Sequence, residues 1–260
     1  MTTRATWRAY QQYEYEDQTG ETVASGAPWQ FTEDFIGAGH SAGIPAAGSP
    51  VAGYPWVKKI VGAAPPTVGL VSNGIGGQVA CTLTSASQAQ EAALYWNDNL
   101  SINTLTTSYG QVEFRAALSV APASAAVAAL GVGSAWVGGP LNLARYLLFA
   151  WNSSAALIIS TKDGTGNTFS FAAAQAGGSA ITTDTNFHVY RIDWNNNSDV
   201  SFWVDGNRVN PTGSVIWAAT GTNAVLQPWA SVYKASGTDV GTLTVDKVDI
   251  FNNRGVNGAA

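Results

Sequence analysis

The chain has 260 residues, 46% of them hydrophobic and only 11% charged, against about a quarter charged in an ordinary soluble domain. Its surface must therefore be largely Ser, Thr, Asn, Gln, Gly and Ala. A net charge of −5 with 12 Lys and Arg, nowhere more concentrated than Lys58-Lys59, excludes a nucleic-acid partner, because nothing gathers positive charge against phosphates. No run reaches membrane-spanning length, and the amino end lacks the apolar core of a signal peptide, so neither a membrane nor the secretory route is expected.

The length fits one main domain of sandwich size with a substantial core. In chain order, residues 1–28 place Trp7, Tyr10, Tyr13 and Tyr15 among polar groups before Gly20 and Gly26. They read as an arm, which either docks on a partner or folds back as an edge strand of its own domain. Residues 29–260 read as the main domain. The segment from Gly37 to Gly53 is mostly Gly, Ala, Pro and Ser, a long loop. Cys81, alone and in a β-like run, can form no intrachain disulfide; it fits a reducing compartment and reads as a buried, inert thiol.

Val112, Phe114, Ala116 and Leu118 alternate with Gln111, Glu113 and Arg115, the period-2 pattern of a strand with one core face. Ala121 to Leu130 is Ala-rich but carries Pro122 and is followed by Gly131 and Gly133; helix, strand and loop all remain open there. Tyr190, Ile192 and Trp194 alternate again, then Val200, Phe202 and Val204 lead into Asp205-Gly206, so Phe187 to Val209 reads as a hairpin. Near the end, Leu243 and Val245 share one parity and Val248 and Ile250 the other, which places a bulge or an exchange of faces at Asp246-Lys247.

Three of these pieces, in order, carry a resemblance. Tyr109-Gly110-Gln111-Val112-Glu113-Phe114-Arg115 comes first, then Phe187-His188-Val189-Tyr190-Arg191-Ile192-Asp193-Trp194 with Phe202-Trp203-Val204-Asp205-Gly206. Val245-Asp246-Lys247-Val248-Asp249-Ile250-Phe251 closes the series. Together they resemble the laminarinase-like family 16 glycoside hydrolases and their concanavalin A-like relatives. The resemblance implies an all-β fold, a two-sheet antiparallel jelly-roll sandwich, with a concave sheet that forms a glycan cleft in the enzymes. It also allows calcium at the sandwich edge, through Glu33 or Asp34 with Asp246.

Function does not follow from the fold. Glycoside cleavage needs a proton-donating acid and a second carboxylate, which the family carries on one cleft strand. That strand should fall between Val132 and Ile159, yet from Phe114 through Lys162 the chain has no Asp or Glu. No catalytic residue is therefore carried over, and the chain is expected not to be an enzyme. Relocated acids, Glu91, Asp98 or Glu113, are the remaining hydrolytic reading, although they do not alternate on one strand.

A second set of segments is similar to virion structural proteins of tailed bacteriophages. These are Tyr54-Pro55-Trp56-Val57-Lys58-Lys59-Ile60-Val61-Gly62-Ala63, Gln90-Glu91-Ala92-Ala93-Leu94-Tyr95-Trp96-Asn97-Asp98, Leu226-Gln227-Pro228-Trp229 and Tyr233-Lys234-Ala235-Ser236-Gly237. This similarity implies a capsid decoration or cement protein, made in the host bacterial cytoplasm and placed on the capsid surface of the virion. Its partners would be the major capsid protein or other virion proteins, with further copies of itself in a homo-oligomer.

The remaining constellations are weak. His40 and His188 have no second ligand at metal spacing, Gly74-Ile75-Gly76-Gly77 lacks dinucleotide spacing, and Asp163-Gly164-Thr165-Gly166-Asn167 reads as a hairpin turn with too few acids for calcium. No metal or cofactor is expected. With 10 Trp in the chain, aromatic contact is the chemistry left. Trp7, Tyr10 and Tyr13 of the arm, with Trp136, Trp151, Trp203 and Trp229, are the candidates for partner or glycan binding, although core packing is the commoner role for the last four. A line of exposed tryptophans along the concave sheet would favour glycan; a patch beside the arm would favour a protein partner.

Overall fold

The computed structural model describes residues 29–36, 43–51, 54–74, 76–105, 110–123, 125–152, 156–174, 181 and 184–252, and the backbone alone of 3–8 and 11–16. In chain order the strands are β1 (Thr3–Arg8), β2 (Gln11–Glu16), β3 (Trp29–Glu33), β4 (Val57–Val61), β5 (Thr67–Leu70) and β6 (Val79–Thr82). Next come β7 (Gln90–Tyr95), β8 (Ile102–Asn103), β9 (Gly110–Val120), β10 (Ala126–Gly133), β11 (Tyr146–Asn152) and β12 (Leu157–Lys162). The series ends with β13 (Thr168–Ala172), β14 (His188–Asp193), β15 (Ser201–Val204), β16 (Asn207–Arg208), β17 (Val225–Lys234) and β18 (Thr242–Asn252).

These strands build a sandwich of two antiparallel sheets. The front sheet runs β13-β12-β11-β10-β17-β7-β4, with β8 added to β17; the back sheet runs β16-β15-β14-β9-β18-β6-β5, with β3 added to β18. From β3 onward the chain changes sheet at β3 to β4, β4 to β5, β6 to β7, β8 to β9, β9 to β10, β13 to β14, β16 to β17 and β17 to β18, so each layer is stitched to the other through the sequence. Strands β1 and β2 pair only with each other, Thr6 opposite Tyr13 and Trp7 opposite Gln12, and add to neither sheet. Within the arm the described residues 3–8 and 11–16 thus pair as a hairpin; Tyr10 lies outside the described residues.

Between the sheets, the inward parity of each strand supplies the core. Leu147, Phe149 and Trp151 of β11 meet Tyr190 and Phe202 of the back sheet, with Phe149 and Phe202 5.1 Å apart and Trp151 and Tyr190 5.4 Å apart at their ring centres. Trp56, Trp194 and Trp217 are sealed in the same core. Trp151 is therefore a packing residue, a correction to its reading as a binding candidate. Cys81 also lies in this core, and burial pushes its thiol up to about 12, which makes it inert.

Local chemistry explains the details. The stretch from Phe187 to Val209 is a three-strand meander, not one hairpin: β14 pairs with β15, and β15 with β16. Asp205 and Gly206 form the two-residue loop between the last pair at φ 49° and 79°, positive angles that Asp tolerates and Gly adopts freely. In β18 the register slips between Val245 and Lys247 against β9. The extra residue, Asp246, ion-pairs with Arg115 of β9, so the bulge exchanges the buried face and places a carboxylate. The open segment after Pro122 becomes β10, which pairs with β11 on one side and β17 on the other.

Candidate functional site

The strand expected to carry the glycosidase acids is β11, inside the front sheet. Its outward side chains are Tyr146, Leu148 and Ala150, which lie in an apolar cluster separate from the sandwich core. Val57, Ala93, Tyr95, Ala129, Leu143 and Trp229 complete that cluster, and no member is more than 4% exposed. The front face is therefore a second core. Trp229 belongs to it, with its indole N–H donating to Ser231 Oγ at 2.9 Å; its reading as an accessible binding residue is corrected.

Two segments make this burial. Residues 134–145, between β10 and β11, lay Trp136 and Leu141 against the cluster, and residues 43–51 add Ala47. Both are tied to one turn after β7, where Asn97 and Asp98 have φ of 52° and 62°, a left-handed backbone that Asn and Asp accept at modest cost. Asn97 Oδ1 accepts the Gly48 N–H at 2.9 Å. Asp98 Oδ1 accepts the Trp136 N–H at 2.7 Å and the amide N–H of Gln227, on β17, at 3.0 Å, while Gln227 Oε1 accepts the Asp98 N–H. A single turn thus holds both covering segments on the sheet.

Glu91 adds the third tie. One oxygen accepts the Trp136 indole N–H at 3.1 Å and the Gly139 N–H at 3.2 Å; the other is buried with no hydrogen-bond partner. Burial pushes this carboxyl up to about 7, opposed by the Gly139 and Trp136 donors and by Lys59. The Lys59 ammonium lies over the face of the Trp136 ring, 4.5 Å from its centre, a cation–π contact. Gly139, at φ 88°, is pressed so close that a Cβ would meet the Tyr233 ring at 3.1 Å, so a side chain there would lift the segment.

The opposite, outer face of the back sheet carries charge instead. Arg191 meets Asp193 at 3.1 Å and lies 4.9 Å from the Trp203 ring centre, and Lys247 pairs with Asp249 across from Glu113. Burial raises the Asp193 carboxyl to about 6, with Arg191 opposing; burial and Asp249 raise that of Glu113. Glu91 and Glu113 thus face away from each other across the sandwich. Asp98 and Glu91 are both occupied in holding Trp136. Of the three acids that sequence reasoning offered for hydrolysis, Glu113 stands apart on the back sheet, while Glu91 and Asp98 share Trp136.

The half-buried candidates, Trp136 and Trp203, lie on opposite faces, so among the described residues no line of exposed tryptophans follows the front sheet. The calcium reading fits poorly: Asp246 is engaged by Arg115, Glu33 accepts the Phe35 N–H at 2.8 Å, and among the described residues no three His, Cys, Asp or Glu side chains converge. Asp163 accepts the Thr165 and Asn167 N–H groups, closing the turn between β12 and β13. His188 sits between Asp205, at 2.6 Å from Nδ1, and Asp184, at 2.9 Å from Nε2.

The second core was missed in the sequence, although a signal existed. Ala92 to Tyr95 and Tyr146 to Trp151 are continuous apolar runs without alternation, the mark of strands covered on both faces.

No protein-family model and no curated protein matches the chain. Solved structures do. The chain is similar to a protein of unknown function from Shewanella oneidensis, with 11% identity, 90% of each chain covered and a TM-score of 0.59. It is similar to an endo-1,3-β-glucanase from Streptomyces sioyaensis, at 18% identity over 90% of this chain and 99% of that one, TM-score 0.57. A pseudo β-1,3-glucanase of Mycobacterium tuberculosis follows, at 16% identity over 85% of this chain and 97% of that one, TM-score 0.52. At these identities the likeness shows the fold, an all-β concanavalin A-like jelly roll, and leaves activity to the residues of this chain.

Proposed function

We propose that the chain is a non-enzymatic virion structural protein, a decoration or cement protein that binds the shell of a bacteriophage head. The observation that carries the non-enzymatic part is the front face. Where the glucanase resemblance calls for an open cleft with two carboxylates, this chain has Tyr146, Leu148 and Ala150 under a tied-down cover. A surface with few charges and a separate β1–β2 hairpin suit attachment to a protein shell, by burial of area and without chemistry. Many copies on a head would convert weak single contacts into firm attachment, and a symmetric homo-oligomer suits that role. The virion assignment itself rests on the sequence segments similar to tailed-phage structural proteins.

The alternative, glycan binding along the front sheet, requires Trp136 to lift from Glu91 and Asp98. Sedimentation with purified phage heads, with soluble β-glucans and host polysaccharides as competitors, separates the two. Saturable co-sedimentation that glycans leave unchanged is expected. Glycan binding that disappears in the Trp136→Ala variant, with no association with heads, would overturn the proposal.

A further inference from the structure

Strand β13 ends the front sheet, and among the described residues no strand lies beyond it. Its sequence, Thr168-Phe169-Ser170-Phe171-Ala172, pairs with β12 in unbroken register, from Ala172 opposite Ile158 to Thr168 opposite Lys162. Just outside this ladder, Asp163 donates its N–H to the Asn167 carbonyl at 3.1 Å and Ala173 donates its N–H to the Leu157 carbonyl at 2.8 Å. Asn167 and Ala173 therefore bond toward the β12 side. Because bonded and non-bonded positions alternate in an antiparallel ladder, Phe169 and Phe171 bond that way as well. Thr168, Ser170 and Ala172, all exposed, turn their N–H and C=O groups away from β12.

A row of outward backbone groups is a template for another strand, and proteins guard such edges with charge, proline, bulges, shortness or a covering segment. The other sheet ends use these devices. Lys58 of β4 donates its N–H to the Pro45 carbonyl at 2.8 Å and accepts the Ala47 N–H at 2.9 Å, so a loop covers that strand. Strand β16 is two residues long, with Arg208 held by Asp199, and β5 starts directly after Pro65-Pro66 and contains Gly69. Strand β13 has five residues without charge, proline or bulge. It is also close to palindromic, since read backwards it runs Ala-Phe-Ser-Phe-Thr.

We propose that β13 pairs with β13 of a second copy of this chain, antiparallel across a two-fold axis at Ser170, and so joins two front sheets into one. In that register Ser170 lies opposite its own counterpart and Thr168 opposite Ala172 of the second copy, and each such pair exchanges two hydrogen bonds through groups that already point outward. Phe169 lies opposite Phe171 of the second copy at the non-bonded positions, where side chains approach most closely. Both rings are half-buried against the sandwich core, and the pairing covers their open edges. A two-fold contact uses one patch twice, so a nearly palindromic strand suits a copy of itself better than a strand of unrelated sequence. The pairing gives the homo-oligomer of the decoration reading a definite seam, yet it does not depend on shell binding.

The test uses the full chain alone, without phage heads, so that its failure is separate from failure of the shell-binding reading. Sedimentation equilibrium from micromolar to submillimolar concentration should show a reversible monomer–dimer equilibrium. Ser170→Pro removes an outward N–H and leaves the β12 ladder intact, and Ser170→Lys sets like charges opposite each other. Each should weaken dimerisation about tenfold or more, with an unchanged circular dichroism spectrum. Cross-linking reads the register. In Ser170→Cys the two Cα atoms would lie about 5.5 Å apart, within disulfide reach, whereas in Thr168→Cys the cysteines would stand about 13 Å apart along the seam. The native Cys81 is buried and does not compete. Mild oxidation should therefore yield a covalent dimer of Ser170→Cys and little of Thr168→Cys. A parent chain monomeric at every concentration, a dimer that survives both Ser170→Pro and Ser170→Lys, or equal cross-linking of the two cysteine variants would each overturn the proposal.

Discussion

Asp98 accepts the backbone N–H of Trp136 at 2.7 Å, and through that bond a turn following β7 holds the segment that closes the front face of the sandwich. Because Asp98 also receives the side-chain amide of the fully buried Gln227, its removal leaves a buried donor unpaired. Asp98→Ala should cost roughly 1–3 kcal/mol, and Asp98→Asn less, since one acceptor oxygen survives. Urea denaturation with tryptophan fluorescence measures both; an Asp98→Ala variant as stable as the parent would show that the tie carries no weight.

Leu148 distinguishes a second core from a cleft. It points away from the main core yet is fully buried. Leu148→Ala should therefore cost about 2–5 kcal/mol, as truncation in a packed interior does. A residue lining an open groove would change stability by no more than about 0.5 kcal/mol. Thermal unfolding of the single variant decides between these values.

Glu91 gives the front face a pH dependence. Its carboxyl titrates near 7 in the folded chain, against an ordinary 4.5, so between these values the folded state holds more protons than the unfolded one. The contribution to stability is thus complete below about 4.5 and is lost as pH rises through 7. Glu91→Gln keeps an acceptor for Trp136 and removes the charge. It should raise the melting temperature at pH 8 and leave it nearly unchanged at pH 4.5; equal effects at both would contradict the burial of this carboxylate.

His188 behaves in a related way on the back sheet. Burial pulls its pKa down, but the hydrogen bonds its ring N–H groups donate to Asp205 and Asp184 outweigh that and raise it above the ordinary 6.5. The charged form therefore stabilises the β14–β15 end below about 6.5, and this is lost as pH rises through the folded value. NMR titration of the imidazole should give a value above 6.5 that falls in Asp205→Asn. An unchanged value in that variant would remove Asp205 from the account.

Much of the fold was legible because its signals are local. The alternation through Val112, Phe114 and Ala116 placed β9, Asp205-Gly206 placed a turn, and the parity change after Val245 placed the bulge now seen at Asp246. The tryptophans were not legible in the same way. Trp151 and Trp229 lie on opposite faces of the front sheet, and both are buried because that sheet is covered twice. Sequence alternation tells which residues share a face, but not whether another segment lies on it. The cover depends on contacts between distant residues, such as Asn97 with Gly48 and Glu91 with Gly139, and no local pattern records these.

Amide hydrogen exchange at Trp136 and Gly139 tests the closed front face most directly. Their N–H groups are bonded to Asp98 and Glu91, so both should exchange far more slowly than in an unstructured peptide and accelerate in Asp98→Ala. Exchange at unstructured rates in the parent chain would mean that the segment stands open and the sheet presents a cleft, and the non-enzymatic reading would lose its foundation.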